Sequence, residues 1–249
     1  MISVSQFEQP TTLIFLHGLL GDASDWQKLF EKLPHFRCIG LDLPLHGKAQ
    51  NVAVDNFEQA AAYLHQQLKS AVENQKVFLV GYSLGGRLAL DYVLRYRPEN
   101  VQGLILEGAN LGLPTENERA TRWQNDQHWA QRFAQESLFK VLDDWYQQPV
   151  FAHLNVQQRA QFIAQRNHNN GNKIAQMLRA TSLAKQRDFR PLLNELPCPL
   201  YYLCGEKDLK FQQMARESGV EPLLIANAGH NAHQENPTEF ARVLTQIIE

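Results

Sequence analysis

A serine stands among glycines in Gly81-Tyr82-Ser83-Leu84-Gly85-Gly86-Arg87. The apolar run Val77 to Val80 precedes it, and a helical pattern, Leu84 to Tyr96, follows. A serine on a sharp strand-to-helix turn is pushed out at the carboxyl edge of a sheet, where its hydroxyl serves as nucleophile or base. The helix that starts there offers free amides and the positive end of its dipole to developing negative charge. Glycines at 81 and 85 let the strand and the helix approach closely. The plainer reading is a glycine-rich turn with a passenger serine, and the two correct flanks count against it.

Such a serine needs a histidine, and the histidine needs an orienting carboxylate. In chain order both should follow the serine, on loops after later strands. Asp208, after the run Leu200 to Cys204, and His230, after the run ending at Ile225, fit best. Glu107 and Glu206 are alternatives for the acid, and His233 for the base. The nearest competing explanations are a turn-capping aspartate and a surface-loop histidine. An oxyanion hole takes two backbone amides. Leu84 N–H follows the serine directly, and Leu19 N–H belongs to the loop His17-Gly18-Leu19-Leu20-Gly21 after the first strand.

Arg87 lies one helical turn after Ser83, so the two can share a face. A guanidinium there is placed to clamp a carboxylate, or else it runs along the helix to solvent. Arg122 shares a helix face with Arg119, Asp126, Trp129 and Phe133, the two aromatic residues reading as packing. Arg166, before a polar run, is a further cation.

The elements that must position these groups alternate strand and helix as far as Glu107. Strands are expected at Thr11–Leu16, Cys38–Leu43, Val77–Val80 and Gly103–Leu106, which means a parallel sheet with right-handed crossovers. Asp25 should open a helix over Trp26–Leu33, and Asn56 should cap one from Phe57 to about Glu73. From Ala109 to Arg190 only helical periodicity remains, opened by the capping box Thr115-Glu116-Asn117-Glu118 and reaching about Gln135. Further helices are expected at Leu138–Tyr146, Val156–Arg166 and Lys173–Ala184. The sheet resumes at Leu200–Cys204 and Pro222–Ile225, and Asn236-Pro237-Thr238-Glu239 opens a last helix. The expected architecture is therefore an α/β core, 1–108 and 191–249, with an all-helical lid, 109–190, inserted after the fourth parallel strand.

A chain of 249 residues, 44% hydrophobic and 20% charged, has the composition of a globular protein with room for one such domain. Its net charge of −2 gives no reason to expect nucleic acid or an anionic membrane. Met1 to Val4 shows no basic-then-apolar leader, and no apolar run reaches the length of a membrane span. Three cysteines without metal-like spacing fit a reducing, cytoplasmic setting. Residues 109–190 carry 11 Lys+Arg against 7 Asp+Glu, a positive lid that suggests an anionic ligand, although a solvated helix face explains any single arginine.

Taken together, these residues resemble the α/β-hydrolase fold. Within it the chain resembles the 2-succinyl-6-hydroxy-2,4-cyclohexadiene-1-carboxylate synthases of menaquinone biosynthesis, over nearly its whole length. The pieces that carry the resemblance are Gly81 to Arg87, Asp144-Trp145-Tyr146-Gln147-Gln148-Pro149-Val150-Phe151, Arg166 to Gly171, Tyr201 to Glu206 and Ala228 to His233. It implies a triad of Ser83, Asp208 and His230, and substrate-binding roles for Tyr82, Arg87, Arg122, Trp145 and Arg166. It implies a carbon–oxygen lyase that needs no metal or cofactor. The substrate would be a tricarboxylate, 2-succinyl-5-enolpyruvyl-6-hydroxy-3-cyclohexene-1-carboxylate, from which pyruvate is eliminated with Ser83 as general base. A monomer with no stable membrane association is expected. The alternatives are a serine hydrolase, either an esterase or a C–C hydrolase of a carboxylate-bearing substrate, and a binding module that keeps a relict triad.

Overall fold

The computed structural model describes residues 10–72 and 75–249. The leader reading at Met1 to Val4 and the expected helix end at Glu73 lie outside these residues. Six strands form one sheet, every pair parallel: β1 Thr12–Leu16, β2 Arg37–Leu41, β3 Val77–Tyr82, β4 Val101–Glu107, β5 Leu200–Gly205 and β6 Leu223–Ile225. Their spatial order is β2-β1-β3-β4-β5-β6. The chain therefore reverses direction across the sheet between β1 and β3, the place where open parallel sheets hold ligands beyond the strand carboxyl ends.

Ten α-helices complete the chain: α1 Gln27–Phe30, α2 Phe57–Ala71, α3 Leu84–Tyr96, α4 Glu116–Gln135, α5 Leu138–Trp145, α6 Val156–Arg166, α7 Gly171–Ala180, α8 Leu209–Glu217, α9 Ala232–Glu235 and α10 Pro237–Ile248, counted among the described residues. The sheet is apolar on both faces, as a doubly covered parallel sheet requires. Leu79, Leu104 and Tyr202 pack with α2, α3 and α8 on one side. Leu13, Val80 and Leu203 pack with Trp26, Phe240 and Leu244 on the other.

The expected caps are present. Asn56 Oδ1 accepts the Gln59 N–H at 2.9 Å, Thr115 and Glu118 form a reciprocal box, and Asn236 accepts the Glu239 N–H at 3.2 Å. Two expectations differ. Asp25 does not open a helix: Asp22 caps a 3-10 turn, Ala23–Trp26, and α1 begins only at Gln27. The helix expected over Lys173–Ala184 starts earlier, at Gly171, and ends at Ala180, with a separate 3-10 turn at Leu183–Lys185.

Helices α4 to α7 interrupt the sheet between two strands that are hydrogen-bonded neighbours, β4 and β5. They have a core of their own, built from Phe133, Leu142, Phe162, Ile174 and Leu178, and this core also takes in Leu20 from the loop after β1. The helical segment thus rests on the very loop that leaves the first strand. Among the described residues no helix is long and apolar enough to cross a membrane.

Candidate active site

Ser83 joins β3 to α3 with φ 49° and ψ −108°, in the left-handed half of backbone space that a side-chain-bearing residue adopts only under constraint. Two bonds hold it. Its N–H donates to the Glu107 carbonyl at 2.8 Å, and its own carbonyl accepts the Arg87 N–H at 3.0 Å as the first bond of α3. The N–H groups of Leu84, Gly85 and Gly86 therefore have no acceptor within the helix. Gly85 is required here: a Cβ would strike the carbonyl oxygens of Leu16 and His17, so only a bare Cα lets α3 start this close to β1.

His230 lines the same cavity as Ser83 and meets Asp208. Asp208 sits after β5 at the start of α8, and His230 sits on the loop after β6. His230 Nδ1 lies 2.6 Å from Asp208 Oδ2, and both side chains are buried. The other acid and base candidates are engaged elsewhere. Glu107 bonds His233, at 2.7 Å between Oε2 and Nδ1. Glu206 accepts the Asn227 N–H at 2.9 Å and faces solvent.

The loop carrying Leu19 is held by two buried histidines. Gly21 N–H closes a turn onto the Gly18 carbonyl. His46 Nε2 accepts the Leu20 N–H at 3.2 Å, and His17 Nε2 accepts the Leu43 N–H at 2.9 Å. Each Nδ1 faces a backbone carbonyl at 2.8 Å, of Pro44 and Gly18 respectively, so both rings are neutral with the proton on Nδ1. Burial drives the same result. It pushes the His46 pKa down to about 3, with His17 adding to the effect, and it lowers that of His17 too.

A cavity of about 600 Å³ joins these parts. Leu19, Tyr82, Ser83 and His230 line its core side, and Arg122, Trp145 and Phe151 line its lid side. Arg122 Nε donates to Asp126 at 2.7 Å, and the other Asp126 oxygen accepts the Ser182 hydroxyl at 2.7 Å, which fixes the arginine from behind. Trp145 meets Trp129 edge to face, 5.0 Å between centroids, and Trp129 and Phe133 are packing residues as expected.

Two expected ligand contacts are not on this wall. Arg87 is buried, donating to Gln186 Oε1 at 2.5 Å and to the Thr181 carbonyl at 2.6 Å, with Phe57 under its guanidinium. Burial, with Arg122 nearby, lowers its pKa to about 9. Arg166 is buried against Asp25 and Tyr146. Burial opposes its charge, but these two partners outweigh it and raise the pKa. The Gln186 and Thr181 partners of Arg87 and the Asp25 partner of Arg166 lie far off in sequence. Lys210 and Phe211, in the first turn of α8, line the cavity and went unnoticed in the sequence. Their place directly after Asp208 was the available signal.

The comparisons with known proteins agree with this fold. A family profile described as the alpha/beta hydrolase fold matches residues 11–237. A Citrobacter koseri protein named 2-succinyl-6-hydroxy-2,4-cyclohexadiene-1-carboxylate synthase is 46% identical, over 95% of this chain and 93% of its own. A Salmonella typhimurium protein of the same name is 46% identical over 96% and 95%. A Haemophilus influenzae protein, named provisionally for the same synthase, is 55% identical over 95% and 96%. The chain belongs to this synthase family. Among solved structures, MenH from S. aureus superposes with a TM-score of 0.88 at 29% identity, over 98% of this chain and 95% of that one. A Thermogutta terrifontis esterase shares the fold alone, with a TM-score of 0.80 at 22% identity. The esterase covers 96% of this chain as well, so what separates it from the synthase relatives is sequence identity, and it shares only an architecture that serves many reactions.

Proposed function

We propose that this protein eliminates pyruvate from 2-succinyl-5-enolpyruvyl-6-hydroxy-3-cyclohexene-1-carboxylate to give 2-succinyl-6-hydroxy-2,4-cyclohexadiene-1-carboxylate, with Ser83 as general base. The observation that carries the reading is one cavity bordered by Ser83, the Asp208-backed His230 and the lid cation Arg122, in a chain of this family. Asp208 holds the Nδ1 proton of His230, which leaves Nε2 as the basic atom. Nε2 takes the Ser83 proton, and the Ser83 oxygen takes the ring proton α to the succinyl ketone. The electrons pass through the ring alkene, and the bond from ring carbon to enolpyruvyl oxygen breaks. Enolpyruvate leaves and becomes pyruvate by taking a proton at carbon.

Charge grows on the succinyl ketone oxygen during this step. The proposed donors to it are Leu84 N–H, the first amide of α3, and Leu19 N–H, which neither the Gly18–Gly21 turn nor His46 uses. Residues 109–190 act as the lid. Arg122 binds a substrate carboxylate directly, with Tyr82 and Trp145 packing on the ring. Arg87 and Arg166 already hold protein oxygens, so they reach the substrate only by exchanging those partners for a carboxylate.

The test is pyruvate release from the enolpyruvyl substrate. Ser83→Ala should lower kcat by several powers of ten with KM little changed. An esterase reading predicts a Ser83 acyl-enzyme visible by mass spectrometry and no pyruvate, and that result would retire the proposal.

A further inference from the structure

A second histidine–carboxylate pair stands behind the cavity wall. Glu107 Oε2 lies 2.7 Å from His233 Nδ1, and Glu107 Oε1 accepts the His233 backbone N–H at 3.0 Å. Both side chains are fully buried. The His233 ring lies on Trp26 with 3.9 Å between centroids, and the Tyr82 ring meets its edge at 5.0 Å. A buried histidine–carboxylate pair is by itself weak evidence of a stabilising role.

What sets the pair apart is where its ends are fixed. The Glu107 carbonyl accepts the Ser83 N–H at 2.8 Å. Gly108 follows at φ 53°, and a Cβ there would stand 3.0 Å from His230 Cε1, so the His230 ring rests against a residue that must be glycine. His233 lies three positions after His230, inside α9. One strand end thus touches the Ser83 backbone, the His230 ring and the segment that carries His230.

We infer that Glu107 and His233 are positioning residues: together they lock the His230 loop to the strand end that holds Ser83 and so fix the distance across which the proton moves. Neither touches the substrate. The inference rests on the Ser83–His230–Asp208 reading above. Misplacing reacting groups by about 1 Å costs on the order of a hundredfold in rate.

The test uses the full chain and five proteins: wild type, Ser83→Ala, Glu107→Gln, His233→Asn and His233→Phe. Pyruvate release gives kcat and KM. Covalent labelling of Ser83 by a small fluorophosphonate reports the serine–histidine geometry without substrate. Glu107→Gln keeps volume and one acceptor, and kcat should fall roughly ten- to a hundredfold at unchanged KM, with labelling slowed by the same factor. His233→Asn keeps a nitrogen donor near the Nδ1 position and should retain most of kcat. His233→Phe keeps the ring on Trp26 without a donor and should lose as much as Glu107→Gln. Pure packing predicts the opposite order, phenylalanine active and asparagine damaged, and that order overturns the inference. A rise in KM at unchanged kcat overturns it too, as does a loss that only follows the folded fraction by circular dichroism. If Glu107→Gln does not fold, the two His233 variants decide. An inactive Ser83→Ala beside fully active Glu107 and His233 variants removes this inference alone, whereas an active Ser83→Ala removes the triad reading itself.

Discussion

An arginine that borders a cavity and one sealed inside the protein are the same letter in a sequence. Their environments separate them here. Arg122 borders the cavity with its side chain 36% exposed, whereas the Arg166 side chain is 4% exposed and its partner Asp25 is 7% exposed. Removing one member of such a buried pair leaves an uncompensated charge, at a cost of about 3–5 kcal/mol. Arg166→Ala should therefore lower the thermal midpoint by about 10 °C as well as any affinity it contributes. Arg122→Ala takes one partner from buried Asp126, which keeps the Ser182 hydroxyl, so the midpoint should fall less than in Arg166→Ala, while KM should rise roughly ten- to a hundredfold, the value of one charge-assisted contact. Calorimetry and steady-state kinetics at two ionic strengths separate the two outcomes. An unchanged KM in Arg122→Ala would remove it from the substrate site. The approach of His230 to Asp208 was legible because strand ends and chain order constrain both residues. The partners of Arg87, Gln186 and Thr181, were not, because no local pattern announces a bond to the far end of an inserted segment.

The loop after β1 depends on groups that β2 delivers. His46 and His17 accept backbone N–H groups through Nε2, so protonating either ring breaks the bond that fixes its neighbour. The unfolded chain takes up these protons near pH 6.5, whereas folded His46 does so only near 3. Between those values the unfolded state binds more protons, so stability falls as the pH falls, by up to about 1.4 kcal/mol per pH unit for His46, and His17, also lowered, acts in the same direction. Above about 6.5 the rings contribute no slope. Urea unfolding between pH 4.5 and 8 should show a shallower acid slope in His46→Gln, by about one proton, because glutamine still offers an acceptor to Leu20 without titrating. Equal slopes would mean that His46 does not couple to folding. At this scale the sequence was most readable where a cap or a period marks an element, as at Asn56, Thr115 and Asn236. It was least readable at Asp25, whose carboxylate serves Arg166 in the helical segment, and at α8, a short helix that buries Gln212 and leaves Leu209 exposed.

The charge split between the helical segment and the rest of the chain looked like a signal for an anionic ligand. Part of it is an internal interface. Arg166 pairs with Asp25 and Arg187 with Asp91, each joining the positive segment to the negative core. His153 adds a third tie, 3.0 Å from Glu235, and that carboxylate also accepts the Gly229 and Asn231 N–H groups on either side of His230. Segment charge therefore reports docking as well as ligand. Arg122 and Lys210 are the cations that line the cavity itself.

The neighbours β4 and β5 pair in the sheet although the chain between them runs from 108 to 199. Viewed in time instead of space, that pairing is the event folding must wait for. Closing a flexible loop costs more as it lengthens, by about 0.6 kcal/mol per doubling, and non-local parallel pairing is slow for that reason. Helices α4 to α7, with their own core, offer a way round: if they condense first, the two strand ends are tethered by a compact body. Ile174, fully buried in that core, tests the order. If the helices form first, Ile174→Ala should slow refolding in stopped-flow measurements and leave unfolding nearly unchanged. If only the unfolding arm accelerates, the sheet closes before its cover is built.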